Sequence, residues 1–405
     1  MRTAMLTSPG LVFTVMAAAF WFGAWSAEAE NWPKFRGWRG DGTSGESNVP
    51  RRWGTEENIL WKTPIPGEGH SSPIVWGTNV FVTSAIRETG QRVLLRLETR
   101  RGAVLWQRVV ATSEIEPMHR ENSAASSTPV TDGTAVFTSF QVGDRVDLRC
   151  FDYQGRQVWA AQPLRYQGEH GYSHSPILHG QCLLLDCRQE GEAAVLALDR
   201  KTGHIRWRAQ PAARRISHVP PLLIQDRGRV QLVVCGSGEI RSYHPETGAP
   251  LWWCRSPSDV AVSGLAYGDG MIFATAGYPT RTRMAVRASG VGDVTTTHIA
   301  WTHRRQVTYV PSPVFHDHHL YTVTDDGLLF CFAARTGEPV WEHRLGGRFR
   351  SSLVMADEHI YATDDNGATT VFEATPKAFR AVATNRLGEP CYATPAISGG
   401  CIFLR

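Results

Sequence analysis

The sequence predicts an all-β protein folded as an eight-bladed β-propeller, and two recurring patterns carry this prediction. A repeat closes with glycine four residues before tryptophan at Gly102…Trp106, Gly155…Trp159, Gly203…Trp207, Gly248…Trp252 and Gly337…Trp341. It opens with a dipeptide ending in proline at Ser72-Pro73, Thr128-Pro129, Ser175-Pro176, Pro220-Pro221, Ser312-Pro313 and Thr394-Pro395. The closing tryptophans lie roughly 40–50 residues apart, the length of one four-stranded blade.

The third repeat shows the strands of one blade most clearly. Residues 174–178, 182–186, 193–199 and 204–208 alternate or run apolar, as strands do. The turn Arg200-Lys201-Thr202-Gly203 joins the last two strands, with glycine free to take a positive φ. Four antiparallel strands ordered from the axis outwards are therefore expected in each blade.

The remaining blades are predicted from the same pattern. We expect them at about 70–109, 126–161, 217–255, 262–303, 310–344 and 349–384. Blade five lacks the Thr-Gly turn, and blade seven has no tryptophan. Blade eight starts at residues 392–395 and has only two strands before Arg405. We expect residues 58–62 to supply its outer strand, so that the two ends of the chain close the ring.

The periodic tryptophans are interpreted as spacers between neighbouring blades. A large ring at a sheet-to-sheet interface buries much apolar surface, and a small residue such as Ala197 leaves room for it. This structural docking role is predicted for Trp61, Trp106, Trp159, Trp207, Trp252, Trp301 and Trp341.

The N-terminal residues have the pattern of a secretory signal. Arg2 precedes an uncharged apolar stretch from Leu11 to Trp25, and Ala27-Glu28-Ala29 matches a cleavage site. We therefore divide the chain into a signal peptide at 1–29, a segment with the closing strand at 30–69 and propeller repeats at 70–405. The mature protein is expected in the periplasm or outside the cell, without a lipid anchor or membrane span, because no cysteine follows the cleavage site.

The net charge of +4 and the scattered arginines give no basis for a nucleic-acid surface, and we expect a monomer. Eight cysteines in an exported chain raise the possibility of disulfides. The spacings do not favour them: no pair is adjacent, and Cys150 and Cys331 take the small buried position of Ala197.

The residues just before the repeat openings converge on one mouth of the central channel in such a fold. Histidines, arginines and polar side chains there suit an anion, a sugar or a metal, or simply bond one another across a wet channel. The candidate ligand-binding residues are His70, His119, Arg120, Asn122, His174, His218, Tyr309, Arg350 and Tyr392. Glu121-Asn122 and Asp365-Asn366 offer oxygen ligands for calcium, although the second pair reads more simply as a turn.

The chain resembles the exported proteins of the pyrroloquinoline-quinone-like (PQQ-like) propeller superfamily, close to the BamB-like group. The resemblance rests on Asn31-Trp32-Pro33-x-Phe35-Arg36-Gly37, Trp61-Lys62-Thr63-Pro64, Ala197-x-Asp199-x-x-Thr202-Gly203-x-x-x-Trp207 and Ala285-Val286-Arg287. It implies one of two classes, either dehydrogenases that hold the quinone and calcium on the axis or non-enzymatic scaffolds that dock partner proteins. The adjacent cysteine pair of the dehydrogenases is missing.

We expect an exported, non-catalytic scaffold of the bacterial cell envelope that binds a protein partner or a small-molecule or glycan ligand. The sequence contains no hydrolase or phosphate-loop motif, so no catalytic residue, metal or cofactor is predicted. The alternatives are a PQQ-dependent alcohol or sugar dehydrogenase with calcium, and a carbohydrate-binding propeller.

Overall fold

The computed structural model describes residues 30–211, 216–236, 238–256 and 258–405. The predicted signal peptide at 1–29 lies outside these residues. Within them the chain forms seven sheets of four or five strands and one of two strands, each built from antiparallel hairpins. The all-β propeller predicted from the repeats is confirmed.

The first four blades consist of β1 to β16. Blade one contains β1 (Ile74–Trp76), β2 (Asn79–Ile86), β3 (Gln91–Glu98) and β4 (Val104–Thr112), with a 3-10 turn at Arg87–Thr89. Blade two contains β5 (Val130–Thr131), β6 (Ala135–Val142), β7 (Arg145–Asp152) and β8 (Gln157–Arg165). Blade three contains β9 (Ile177–His179), β10 (Cys182–Cys187), β11 (Ala194–Asp199) and β12 (Ile205–Ala209). Blade four contains β13 (Leu222–Asp226), β14 (Arg229–Gly236), β15 (Glu239–Tyr243) and β16 (Pro250–Arg255).

The later blades consist of β17 to β31. Blade five contains β17 (Ala266–Gly268), β18 (Met271–Ala276), β19 (Thr282–Arg287) and β21 (Ile299–His303), while β20 (Gly292–Asp293) pairs with β16. Blade six contains β22 (Val314–His316), β23 (His319–Val323), β24 (Leu328–Ala333) and β25 (Pro339–Arg344). Blade seven contains β26 (Val354–Ala356), β27 (His359–Thr363), β28 (Ala368–Glu373) and β29 (Ala381–Arg386). Blade eight contains β30 (Ala396–Ser398) and β31 (Cys401–Phe403).

The core is divided among the interfaces between neighbouring sheets. Between blades three and four, for example, Leu184, Ala197 and Trp207 pack against Leu232 and Tyr243. The innermost strand of blade one also lies against that of blade eight, so the first and last blades are neighbours and the ring is closed. All eight cysteines are free thiols, and seven of them are buried.

The segment predicted as the closing outer strand, residues 58–62, is not a strand, and this expectation is corrected. Asn58 has a φ of +57°, and Pro64 and Pro66 lack the N–H groups that a ladder needs. The segment still lies between the chain ends. The Trp61 ring is 6.0 Å from that of Phe403 in β31, and its indole N–H donates to Thr99 of blade one at 2.7 Å.

The tryptophans join each blade to the next by a repeated contact. The indole N–H of Trp159 donates to the Arg200 carbonyl in the next blade at 2.9 Å, and its ring lies on Gly203. Gly203 has a φ of +75°, and an added Cβ would lie 2.7 Å from the ring. The same indole-to-turn bond is made by Trp61, Trp106, Trp207, Trp301 and Trp341.

Trp252 packs between blades four and five without that bond, because blade five lacks the Thr-Gly turn. Its indole N–H donates at 2.6 Å to the Gln231 side chain of its own blade. The insertion in blade five instead places β20 parallel to β16, and Val294 donates to the Trp253 carbonyl at 2.9 Å. A backbone contact thus replaces the turn contact.

Blade seven, which has no tryptophan on its outer strand, is packed by a residue from the N-terminal segment. Trp53 stacks on Tyr361 with centroids 6.3 Å apart, and its backbone N–H donates to Asn385 of β29 at 3.1 Å. Asn385 in turn donates to the Arg51 carbonyl.

The repeat-opening residues form a belt of hydrogen bonds around the axis. The backbone N–H of Ser72 donates to the Thr128 hydroxyl, and that of Thr128 donates to the Ser175 hydroxyl. Gly264, Ser312 and Ser352 continue the pattern to Thr394. These residues therefore precede the inner strands, and the predicted strand at 174–178 begins only at Ile177.

Removing one belt hydroxyl is expected to be costly. In Thr128→Val the buried N–H of Ser72 loses its acceptor, so the free energy of unfolding should fall by about 1–3 kcal/mol. Urea unfolding monitored by circular dichroism measures this change. The exposed Thr134→Val is the control, and equal midpoints for the two variants would show that the belt does not contribute.

The N-terminal residues 30–48, here called the plug, close one end of the channel. Trp32 exchanges two backbone bonds with Val75 of blade one, and Pro33 accepts from Thr131 of blade two. Ser44 donates to Met355 of blade seven, and Glu30 accepts from the Ser398 hydroxyl of blade eight. The plug therefore contacts inner strands around the ring.

Arg36 lies at the centre of the plug and is 1% exposed. Its guanidinium donates to the carbonyls of Asp41, Leu265 and Pro313, which lie in the plug and just before β17 and β22. Burial lowers the pKa of Arg36 to about 10, while Asp41 acts in the opposite direction.

Candidate functional site

The opposite end of the channel, here called the mouth, is formed by the loops that precede the inner strands. The predicted site residues fall into two groups there. The first group is centred on Arg350, whose guanidinium pairs with Glu121 at 2.5 Å and also with Asp365. Arg348 adds a second cation on Glu121 at 3.1 Å. Loops of blades two and seven are thus tied together across the mouth.

Two rings cover this ion-pair group. The Arg350 guanidinium lies 5.0 Å from the centroid of the Tyr392 ring. The His70 ring meets the Tyr392 ring edge-on, with centroids 4.9 Å apart. Burial lowers the pKa of His70 to about 4, and the charges of Arg405 and Arg350 lower it further. His70 is therefore a neutral ring beside two cations at neutral pH, which suits packing and hydrogen bonding rather than anion binding.

The second group is a row of histidines on the blades two to four side. The centroids of His119 and His170 are 5.5 Å apart, those of His170 and His218 are 6.3 Å apart, and those of His174 and His218 are 5.8 Å apart. Asn122 fixes the row by donating to the His170 carbonyl at 2.7 Å. The hydroxyl of Ser173 bonds His218 Nδ1 at 2.7 Å.

His174 is at the buried end of the row, between Tyr166 and Tyr172. It is 2% exposed, and neither ring nitrogen has a hydrogen-bond partner among the described residues. Burial, with a contribution from His218, lowers the pKa of His174 to about 3. Burial also lowers the pKa of His218 to about 4. His174 and His218 are therefore uncharged at neutral pH.

Stability is expected to fall as the pH drops below about 6.5. The folded-state pKa values of His70, His174 and His218 are lowered, so the unfolded chain binds more protons between pH 6.5 and about 4. Each such histidine adds up to about 1.4 kcal/mol per pH unit to the slope. Urea unfolding at pH 7, 6 and 5 measures it.

His174→Gln should reduce this slope, and the exposed His204→Gln should leave it unchanged. A wild-type slope in both variants would contradict the assignment of a buried neutral imidazole at His174.

The remaining predicted residues lie in neither group. Arg120 is exposed on the turn that carries His119. Tyr309 packs against Gly277, and its backbone N–H donates to Asp325 at 2.9 Å. His174 is 2% exposed, and its part in ligand binding stays a prediction.

Sequence reasoning missed His170, which lies in an irregular loop without a motif, and Arg405, which bonds the Ser71 hydroxyl at 2.6 Å. The carboxylates of Glu121 and Asp365, which the sequence offers as possible oxygen ligands for calcium, both pair with Arg350.

The mouth contains two carboxylates that could offer oxygens to calcium, those of Glu121 and Asp365. Calcium takes six or more oxygen ligands, and both of these carboxylates are paired with Arg350. Within residues 30–211, 216–236, 238–256 and 258–405, no three histidine, cysteine, aspartate or glutamate side chains are placed to share a metal ion.

Comparison with known proteins agrees with this fold. The family model described as outer membrane protein assembly factor BamB matches residues 54–170, 191–312 and 293–376. The chain belongs to this family. A search of curated protein sequences found no match. None of the helices in the described residues has the length and apolar content to cross a bilayer.

Solved structures similar to this BamB-family chain are propellers of low sequence identity. BamB from Moraxella catarrhalis is 14% identical with a TM-score of 0.60, over 82% of this chain and 92% of that one. Quinohemoprotein alcohol dehydrogenase ADHIIG from Pseudomonas putida HK5 is 13% identical with a TM-score of 0.52, over 74% and 61%. The quinohemoprotein alcohol dehydrogenase of Comamonas testosteroni is 10% identical with a TM-score of 0.53, over 85% and 76%. These likenesses establish the fold alone.

Proposed function

We propose that this protein is an exported, non-catalytic scaffold of the bacterial envelope that docks a partner protein on its mouth. Membership of the BamB family supports an envelope role, and the signal-like residues 1–29 support export. The fold alone decides nothing, because propellers host many functions.

The observation that carries the proposal is the pairing of the charged groups inside the mouth. Burial opposes ionisation of Glu121, but Arg350 and Arg348 more than offset it, and the pKa of Glu121 is lowered. Its carboxylate is thus a fixed anion, unsuited to accept a proton near neutral pH. The pairs hold the loops in place, and the exposed side chains of His119, Arg120 and Arg348 then form the surface that a partner meets.

We propose further that the protein works without a quinone or calcium. The support is the occupation of Glu121 and Asp365 by Arg350. Absorbance and mass analysis of the natively purified protein tests this point. A stoichiometric quinone, together with dye-linked alcohol oxidation after calcium addition, would overturn it in favour of a dehydrogenase.

Site-specific photo-crosslinking tests the docking surface. A photoreactive amino acid at position 120 should give a discrete crosslinked species in an envelope extract. The same group at position 208, which is exposed on β12 and away from the mouth, is the matched control. Identical patterns at the two positions, or none at position 120, would contradict docking at the mouth.

A second candidate is glycan binding, and the exposure of Tyr392 favours it. This ring is 37% exposed and held from below by Arg350 and from the side by His70, as in a sugar-stacking platform. A glycan array read with wild type and Tyr392→Ala tests it, with Tyr309→Ala as the control. Signals that persist in Tyr392→Ala would reject this candidate.

A further inference from the structure

A groove opens between blades three and four on the plug side of the ring, remote from the mouth. It encloses about 580 Å³ and is lined by three turns, which contribute His179, residues 227–230 and residues 244–246. Volumes of this size are typical of small-molecule sites. The groove is distinct from the docking surface proposed above and independent of it.

The side chains that line the groove are predominantly basic. Arg227, Arg229, His179 and His244 face one carboxylate, that of Glu246. Burial lowers the pKa of His179, and His244 and Lys34 lower it further while Glu246 acts in the opposite direction. The positive charge of the lining therefore comes from Arg227 and Arg229, and His179 is a neutral hydrogen-bonding group at neutral pH.

Arg227 and Arg229 form no ion pair with a carboxylate among the described residues, so both keep their charge available to a ligand. Arg229 donates to the Gly290 carbonyl at 3.0 Å and to the Ala288 carbonyl at 3.4 Å, which fixes its side chain. Arg227 is exposed at the tip of the β13–β14 turn, with a φ of +46°. Among the described residues, the arginines of these two blades that form ion pairs are Arg188, Arg200, Arg206 and Arg241.

We propose that this groove binds a small polyanion bearing phosphate groups, of the size of a phosphorylated sugar. The guanidinium fork matches phosphate oxygens in geometry and charge, and two forks with two imidazoles provide donors for more than one phosphate. Glu246 contributes the one carboxylate among the lining residues, and its charge opposes binding.

Pyrophosphate is the probe, and isothermal titration calorimetry at low salt measures its dissociation constant. Arg227→Asn removes the free guanidinium while keeping a residue that tolerates the left-handed turn. Glu246→Gln removes the opposing charge. Arg208→Ala is the control, because it also removes one positive charge but lies on the exposed outer strand of blade three, away from the groove.

We expect saturable binding of pyrophosphate to the wild type. The dissociation constant should rise about tenfold in Arg227→Asn, fall several-fold in Glu246→Gln and stay unchanged in Arg208→Ala. Thermal unfolding of each variant confirms that it is folded. Wild-type affinity in Arg227→Asn, equal weakening in Arg208→Ala, or no saturable binding would each overturn the proposal. Photo-crosslinking at position 120 is unaffected by any of these outcomes, so the two proposals fail separately.

Discussion

Trp207→Ala is expected to lower the free energy of unfolding by about 3–5 kcal/mol. The Trp207 ring is 9% exposed and packs between blades three and four, where it stacks on Tyr243 with centroids 6.3 Å apart. Its indole N–H donates to the Pro245 carbonyl at 3.0 Å, so truncation leaves both a cavity and an acceptor without its donor. Urea unfolding monitored by circular dichroism measures the loss.

Trp38→Ala is the control for this prediction, because Trp38 is 57% exposed. Its effect should stay within about 0.5 kcal/mol. If the two variants unfolded at the same urea concentration, the contact between the Trp207 ring and the next turn would not be what joins these blades.

Arg36→Ala is expected to cost about 3 kcal/mol or more and to release the plug. Three carbonyls, of Asp41, Leu265 and Pro313, lose a charged donor, and the side chain leaves a void on the axis. Arg36→Lys should recover part of the loss because an ammonium group still donates to some of these oxygens. Urea unfolding gives the stability change, and limited proteolysis within residues 30–48 reports release.

Arg39→Ala is the matched variant, since Arg39 is exposed in the same turn of the plug. It should unfold like the wild type. Protease resistance of residues 30–48 in Arg36→Ala would mean that the backbone bonds at Trp32 and Ser44 hold the plug without the guanidinium.

The blade interfaces could be predicted from sequence because both partners of each contact recur in one short motif. Gly203 and Trp207 repeat at a fixed spacing, and the ring of one repeat lies on the glycine of the next. Small residues are predicted at Ala197, Cys150 and Cys331, and these lie opposite Trp207, Trp159 and Trp341 on the neighbouring strand. The pattern is not general, because Arg96 lies opposite Trp106.

The mouth could be predicted only in part. The position of each loop just before a repeat opening indicates which loops converge at the mouth, but not which of their side chains contact one another. Arg348 and Glu121 are 227 residues apart and belong to no repeat, so nothing in the sequence pairs them. The motif around Arg36 is likewise visible in the sequence, but the position of the plug is not. Arg36 is held by backbone carbonyl groups, which every residue has, so no residue type indicates where it binds.

The position of the plug sets an order for maturation of the chain. Glu30 and Ser398 are 368 residues apart, and Arg36 and Pro313 are 277 apart. At a translation rate of about 5–20 residues per second, Glu30 is made roughly 20–70 s before the Ser398 hydroxyl that donates to it. Such long-range closure is slow to form, and we expect the ring to seal only after the strands of blade eight are available to the plug.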